Sequence, residues 1–204
     1  MGAEFGGVKW QRSRTYTTGG LGFNPTFGVS IGYDWKPLAS FRAQLMYQRM
    51  YETHQAGYKG MTEDNRVQRG TGLFNSAYNE MDLRLSYMLN LSTVLQGYNA
   101  DRRMNLWWTL GPSFSYNFSQ KDTYVEEQKN PNPELKDVTL NNKKAGKASP
   151  GVATSLIAAL KVNDRMDVTA EAYGQYNFLP SVNPGNRGRL NSVKYGVSVG
   201  TRYH

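Results

Sequence analysis

The chain has no cysteine. That removes any disulfide framework and any thiolate nucleophile, and it leaves the compartment open. No apolar run approaches the roughly 20 residues that a transmembrane helix needs. The first ten residues, MGAEFGGVKW, lack the basic and apolar regions of a secretory signal, so a mature or truncated chain or a cytosolic one is expected, and export stays open. Histidine is scarce, with only His54 and His204. Hydrophobic residues make up 39% of the 204, a low share for a large dry core.

What is present is the chemistry of sheets and turns. The chain carries 21 glycines and 14 tyrosines, with 13% aromatics. Aromatic side chains suit a pleated surface, and glycine serves turns and close backbone approach. The formal charge is +8, with a pI near 9.6, which would suit an anionic partner. The cations are scattered, however. Lys143, Lys144 and Lys147 form the densest cluster and Arg187 with Arg189 the next. No nucleic-acid-binding motif surrounds either, so they read as solvated loops and nucleic acid is not an expected partner.

Period-two alternation runs along the whole chain. Residues 27 to 35 read FGVSIGYDW, with Phe27, Val29, Ile31, Tyr33 and Trp35 on one side and Gly28, Ser30, Gly32 and Asp34 on the other. The same pattern predicts about eight strands, near 3–13, 26–36, 40–53, 76–90, 104–120, 150–162, 166–179 and 192–203. Pro112 inside the fifth cannot donate a ladder hydrogen bond, so a bulge or break is expected there. Segments 14–25, 54–75, 121–149 and 180–191 are long and polar, 37–39 and 163–165 are short, and 91–103 is intermediate. Long loops therefore gather at one end and tight turns at the other. No linker interrupts the series, and a single domain spanning 1–204 is expected.

Periodicity alone does not say which face is inside. The polar face is mostly Gly, Ser, Ala, Asn and Thr, which suits the interior of a narrow closed barrel better than a surface in water. The apolar face is sorted by depth. Trp35, Phe41, Tyr87, Trp108 and Tyr203 lie toward the short turns, and Phe27, Tyr51, Tyr116, Phe118, Tyr176 and Phe178 toward the long loops. Val29, Ile31, Leu45, Leu83, Leu85, Leu110, Leu156 and Ala172 lie between. Two aromatic belts around an aliphatic band match a bilayer, because amphipathic rings favour both interfaces. The fold class expected is all-β: a transmembrane up-and-down antiparallel eight-stranded barrel.

Hairpin geometry adds expected contacts inside. A turn over 37–39 places Trp35 opposite Phe41 and Asp34 opposite Arg42. A turn over 163–165 places Leu160 opposite Val168 and Lys161 opposite Asp167. Glu80, Asp82, Arg84, Glu171, Lys194 and Arg202 complete a charged lumen, where buried ions must be paired. A fixed salt-bridge plug is expected over a conducting path.

With these features the chain resembles the small eight-stranded outer-membrane barrels of Gram-negative bacteria, of the OmpA-like and OmpX-like kind. The resemblance covers almost the whole chain and rests on pattern. Its one sharper element is the last strand, where Ser198, Gly200 and Tyr203 match the polar, glycine and aromatic positions of that family's assembly signal. The remaining aromatic would fall at position 205, one past His204. The resemblance implies a bacterial outer-membrane location with both termini in the periplasm, and contact with outer-membrane lipid and lipopolysaccharide. Some barrels of this size remodel lipid A with a rim histidine, a serine and an acid. Here that would require His54, Ser76 and Glu80, and a plain rim histidine is the simpler reading. The two histidines fall at opposite rims, so no metal site is expected. No catalytic residue and no cofactor is expected either.

Function is expected on the loops. Lys59, Arg66 and Arg69 in one loop, and Lys143, Lys144 and Lys147 in another, are candidates for binding phosphate or glycan. The expected function is a non-enzymatic structural or interaction protein whose extracellular loops contact glycan, lipopolysaccharide or a protein partner in a membrane complex. A narrow pore and a lipid-modifying enzyme are the alternatives, with a soluble lipocalin-like carrier behind them.

Overall fold

Aromatic and branched side chains at every second position fit a pleated surface, and the alternating segments are strands. The computed structural model describes residues 1–12, 24–61, 67–125, 136–140, 148–178 and 192–204. Its elements are β1 (Gly2–Arg12), β2 (Asn24–Lys36), β3 (Ala39–Met61), β4 (Val67–Asn90), α1 (Leu91–Gln96), β5 (Met104–Val125), β6 (Lys136–Leu140), β7 (Ala148–Asn163), β8 (Met166–Asn177) and β9 (Ser192–Tyr203). Neighbouring strands are antiparallel, and β1 pairs with both β2 and β9, Gly2 facing Ser30 on one side and Arg202 on the other. Eight strands thus close into a ring in the order β1, β2, β3, β4, β5, β7, β8, β9, with β6 outside it against the far end of β3.

The structure lengthens one expected hairpin. β3 and β4 stay paired from Ala39 with Leu89 out to Met61 with Val67, so most of the expected 54–75 loop is sheet. Alternation weakens there because a strand that has left an apolar surround need not keep one face apolar. β6 lies within the expected 121–149 loop and meets β3 at Tyr58, Lys59 and Met61. The intermediate 91–103 connection opens with α1, where Asn90 caps the helix by accepting from the Thr93 amide at 3.1 Å. The Asn90 amide itself donates to Leu38 at 2.9 Å, which anchors this connection at the short-turn end.

Proline at position 112 breaks pairing without shifting it. Arg84 faces Ser113 and Tyr87 faces Leu110, while the two positions between them are unpaired on the β4 side and the register is kept. The bulge in this pair lies elsewhere, between Asn79 and Glu80.

The two faces of the sheet differ sharply in chemistry. Val29 is 58% exposed, Ile31 57% and Leu85 50%, while Glu80, Asp82, Gln48 and Lys194 are fully buried. Leaving a large aliphatic side chain in water forgoes about 1.5–3 kcal/mol each, so a whole exterior of them calls for apolar surroundings. Rings gather at both ends of that exterior. Trp35, Phe41 and Tyr87 are in contact toward the short turns, and Phe27, Tyr47 and Phe118 toward the long hairpin.

The interior is not wholly polar. Met88, Trp107, Ile157 and Ala159 form a buried apolar cluster toward the short turns. Higher up, Met46 is buried directly across the ladder from Gly28. A Cβ at Gly28 would collide with the Met46 sulfur. Replacing Gly28→Val should therefore overpack the lumen and destabilise the barrel by about 1–3 kcal/mol, read as a lower urea midpoint in lipid vesicles. An unchanged midpoint for Gly28→Val would refute the packing.

Candidate functional site: a charge network in the lumen

β4 carries Glu80 and Asp82 two residues apart, so strand geometry points both carboxylates inward. Four strands away in either direction around the ring lies β9, and its Lys194 spans the lumen. The Lys194 ammonium donates to Glu80, to Asp82 Oδ1 at 2.9 Å and to the Ser115 hydroxyl at 3.0 Å. From β3, Gln48 donates to Glu80 at 2.9 Å and to Asp82 Oδ2 at 2.5 Å. Ser115 on β5 donates to Asp82 at 2.5 Å.

A second tier hangs from this one. Gln175 on β8 donates to Ser115 and to Asn177, both at 2.9 Å, and accepts from Arg84 Nε at 2.9 Å. The Arg84 guanidinium lies 4.0 Å from the centre of the Tyr173 ring and 3.6 Å from Asp82. Two acids and two bases thus share one buried site. Their charges cancel, and the amides and hydroxyls meet most of the remaining valences, which a dry lumen requires.

Nearer the short turns a second bridge crosses the lumen. Arg42 of β3 donates to Glu171 of β8 at 2.9 Å, and these two strands are also diametrically opposed. Below it lies a cavity of about 270 Å³ between the hydroxyls of Ser30, Ser40 and Thr169 and the apolar Met88, Ile157 and Ala159. Asp34, Arg202 and His204 border both this cavity and a wider one of about 500 Å³ at the mouth.

The expected Asp34–Arg42 pair does not form. β2 and β3 are offset by two from the expected register, with Asp34 facing Ser40, Tyr33 facing Phe41, and a shift before Lys36 meets Ala39. The cause is a tighter turn, Pro37–Leu38, together with that irregularity in β2 just before it. Trp35 and Phe41 remain in contact at 6.4 Å between ring centres, because an offset of two keeps each side chain on its face. Asp34 instead accepts from Ser40 at 2.6 Å and from Arg202 at 2.9 Å.

The other hairpin has the expected register, with Leu160 facing Val168 and Lys161 facing Asp167. Yet Lys161 pairs with Asp164 in the turn and Asp167 with His204, both at 2.9 Å. The Lys161 hydrogen bond and charge hold the Asp164 carboxyl below the usual carboxylate range. Trp35, Phe41, Tyr87, Trp108 and Tyr203 are all exposed on the outer face. Lys59 and Arg69 face each other in the β3–β4 ladder, and Arg66, Lys143, Lys144 and Lys147 lie outside the described residues.

In the ladder, His54 faces Phe74 and Ser76 faces Glu52. Glu80 pairs with Gln48, six positions along β3 from His54, and is bound to Lys194. Gln48, Ser115, Gln175, Tyr173 and Trp107 escaped sequence reasoning. Their inward phase was the available signal, but nothing in it marks one neutral inward residue above another.

Charges sealed inside and an aliphatic band outside invert the arrangement of a water-soluble protein. The chain is a transmembrane β-barrel. No family model matches it, and no curated protein matches it. Among solved structures, this barrel is similar to Neisserial surface protein A, at 11% identity over 98% of this chain and 93% of that one, with a TM-score of 0.48. It is similar to the outer membrane protein OprG from Pseudomonas aeruginosa, at 12% identity over 99% and 94%, with a TM-score of 0.49. It is also similar to Ail, the attachment invasion locus protein of Yersinia pestis, in complex with the heparin analogue sucrose octasulfate, at 7% identity over 99% and 96%, with a TM-score of 0.44. Identities of 7–12% carry no residue role from these barrels to this one.

Removing one partner of a buried ionic site costs about 3–5 kcal/mol, whereas neutralising the whole site is far milder. Lys194→Met should therefore lower unfolding stability of the barrel by that amount. The triple change Lys194→Met, Glu80→Gln, Asp82→Asn should recover most of it in the same urea titration. Arg202→Ala, at a half-exposed pair, should cost about 1 kcal/mol or less. Equal losses for Lys194→Met and Arg202→Ala would contradict this ranking.

Proposed function

We propose that this chain is a non-enzymatic, single-domain barrel of the bacterial outer membrane that acts as a structural and interaction protein. Its long-hairpin end faces outward and meets an anionic saccharide surface, either glycan or the phosphorylated sugars of lipopolysaccharide, alone or within a membrane complex. Barrels of this kind carry short periplasmic turns and longer extracellular segments, which orients the termini and α1 toward the periplasm. In that orientation Trp35, Phe41, Tyr87, Trp108 and Tyr203 sit at the periplasmic lipid interface, where amphipathic rings are favoured.

One observation carries the partner's chemistry. Lys59 and Arg69 occupy the same ladder position on the projecting β3–β4 hairpin, with Thr139 of β6 beside Lys59. Two basic residues at one ladder position give an anionic ligand a place to bind. The plug supports an interaction role over conduction, since fixed, paired ions fill the centre of the lumen.

The double change Lys59→Ser, Arg69→Ser tests this reading. At about 1 kcal/mol per basic residue near an anionic surface, binding to immobilised lipopolysaccharide or heparin should weaken about tenfold or more, with a shallower salt dependence. Unchanged affinity would remove the hairpin as the binding surface. Extraction separates the soluble-carrier alternative, because an outer-membrane barrel must need detergent to leave the membrane fraction.

A further inference from the structure

The apolar cluster of Met88, Trp107, Ile157 and Ala159 borders the cavity of about 270 Å³ beneath the Arg42–Glu171 bridge. Two glycines shape the other side of that cavity. Gly2 of β1 faces Ser30, and Gly32 of β2 faces Arg42. All four line the cavity, so a side chain at either glycine would project into it.

The lining carries two chemistries. Met88 of β4 with Ile157 and Ala159 of β7 makes a buried apolar wall. Ser30, Ser40 and Thr169 bring hydroxyls, which donate or accept, and Thr169 stands directly across the ladder from Ala159. The ions are already paired. Arg42, at the inner end, is bridged to Glu171, and Arg202, at the mouth, to Asp34, both at 2.9 Å. A charged ligand would have to displace one of these partners and leave its charge unmatched. A neutral ligand displaces nothing.

Size narrows the class further. An engineered cavity of about 150 Å³ lined by Leu, Ile and Phe takes up benzene. One of about 270 Å³ has room for a ring with a short substituent or two fused rings, on the order of ten non-hydrogen atoms. The Met88 thioether favours an aromatic ring over an aliphatic one, because sulfur makes favourable contacts with ring edges.

We propose that this cavity binds a small uncharged aromatic molecule carrying one hydroxyl or ring N–H. The ring packs against Met88, Ile157 and Ala159, and the polar group bonds to Thr169. Entry is from the short-turn end, through the wider cavity of about 500 Å³ that shares Asp34, Arg202 and His204 with this one. Farther in, the Arg42–Glu171 bridge and the buried Lys194 network stand in the way, so the site is a dead end and not a passage. It lies at the opposite end of the barrel from the Lys59–Arg69 hairpin and goes beyond the function proposed for that surface.

Titration of 4-fluorophenol against the full-length chain in detergent micelles at pH 7, followed by fluorine NMR, tests this. The probe is neutral there, as a tyrosine side chain is. Its shift should contain a component that saturates at one ligand per chain, on top of linear partition into the micelle. The anionic 4-fluorobenzoate, of similar size, should show no saturable component. Ala159→Leu from β7 and Gly32→Val from β2 fill the cavity from two sides and remove no ion pair. Each should keep the heat-modifiable migration of a folded barrel and lose saturation. Thr169→Val, nearly isosteric, should weaken binding about fivefold through the loss of one hydrogen bond. Linear partition alone in the wild-type chain, as for a cavity that holds only water, would overturn the proposal. So would saturation by fluorobenzoate equal to that by fluorophenol, or full affinity in a folded, filled variant.

Discussion

The contact on which the rest depends is Lys194 reaching across the lumen to Glu80 and Asp82. Two carboxylates on one strand, facing into a space without bulk water, are tolerable only if a cation meets both. That cation comes from the strand farthest away in the ring, so the ionic requirement and the closure of the barrel are one requirement. Arg42 and Glu171 repeat the device nearer the short turns, again between opposite walls. These bridges act as struts, and the amides of Gln48 and Gln175 tie them to the walls between.

This inner order frees the outside to follow a different rule. The exterior needs no specific partner, only apolar surroundings in the middle and amphipathic rings at the edges. It therefore tolerates Val, Ile, Leu and Ala interchangeably along β2, β4 and β7. Beyond the outer belt that demand ends. The β3–β4 ladder continues beyond it, out to Met61 facing Val67.

Much of this was legible in the sequence. The last strand has the expected bounds, Ser192–Tyr203, because its alternation is nearly unbroken, with only Thr201 polar on the outward phase. The Leu160–Val168 and Lys161–Asp167 register followed from a short turn with suitable residues. The Asp34–Arg42 expectation failed because β2 slips between Asp34 and Lys36 and the chain then turns at Pro37–Leu38, a detail of turn geometry that period-two patterning does not encode. The projecting sheet escaped for a related reason: outside the bilayer neither face is obliged to be apolar, so the pattern that announces a strand fades while the strand persists. The candidate cations Lys59 and Arg69 were visible as residues, but only the ladder placed them at one position.

By itself the sequence determined where the membrane-crossing strands run and which side of each faces lipid, because both are local consequences of alternation and of small polar residues on the inner phase. It also determined that the lumen would hold ions of both signs. Tertiary structure alone decided which ions meet. A strand's hydrogen-bonded neighbours can be inferred from its turns, but its opposite wall is set by the closure of the whole ring. Lys194 meets Glu80 and Asp82, and Arg42 meets Glu171, only because eight strands leave a lumen narrow enough for one side chain to cross.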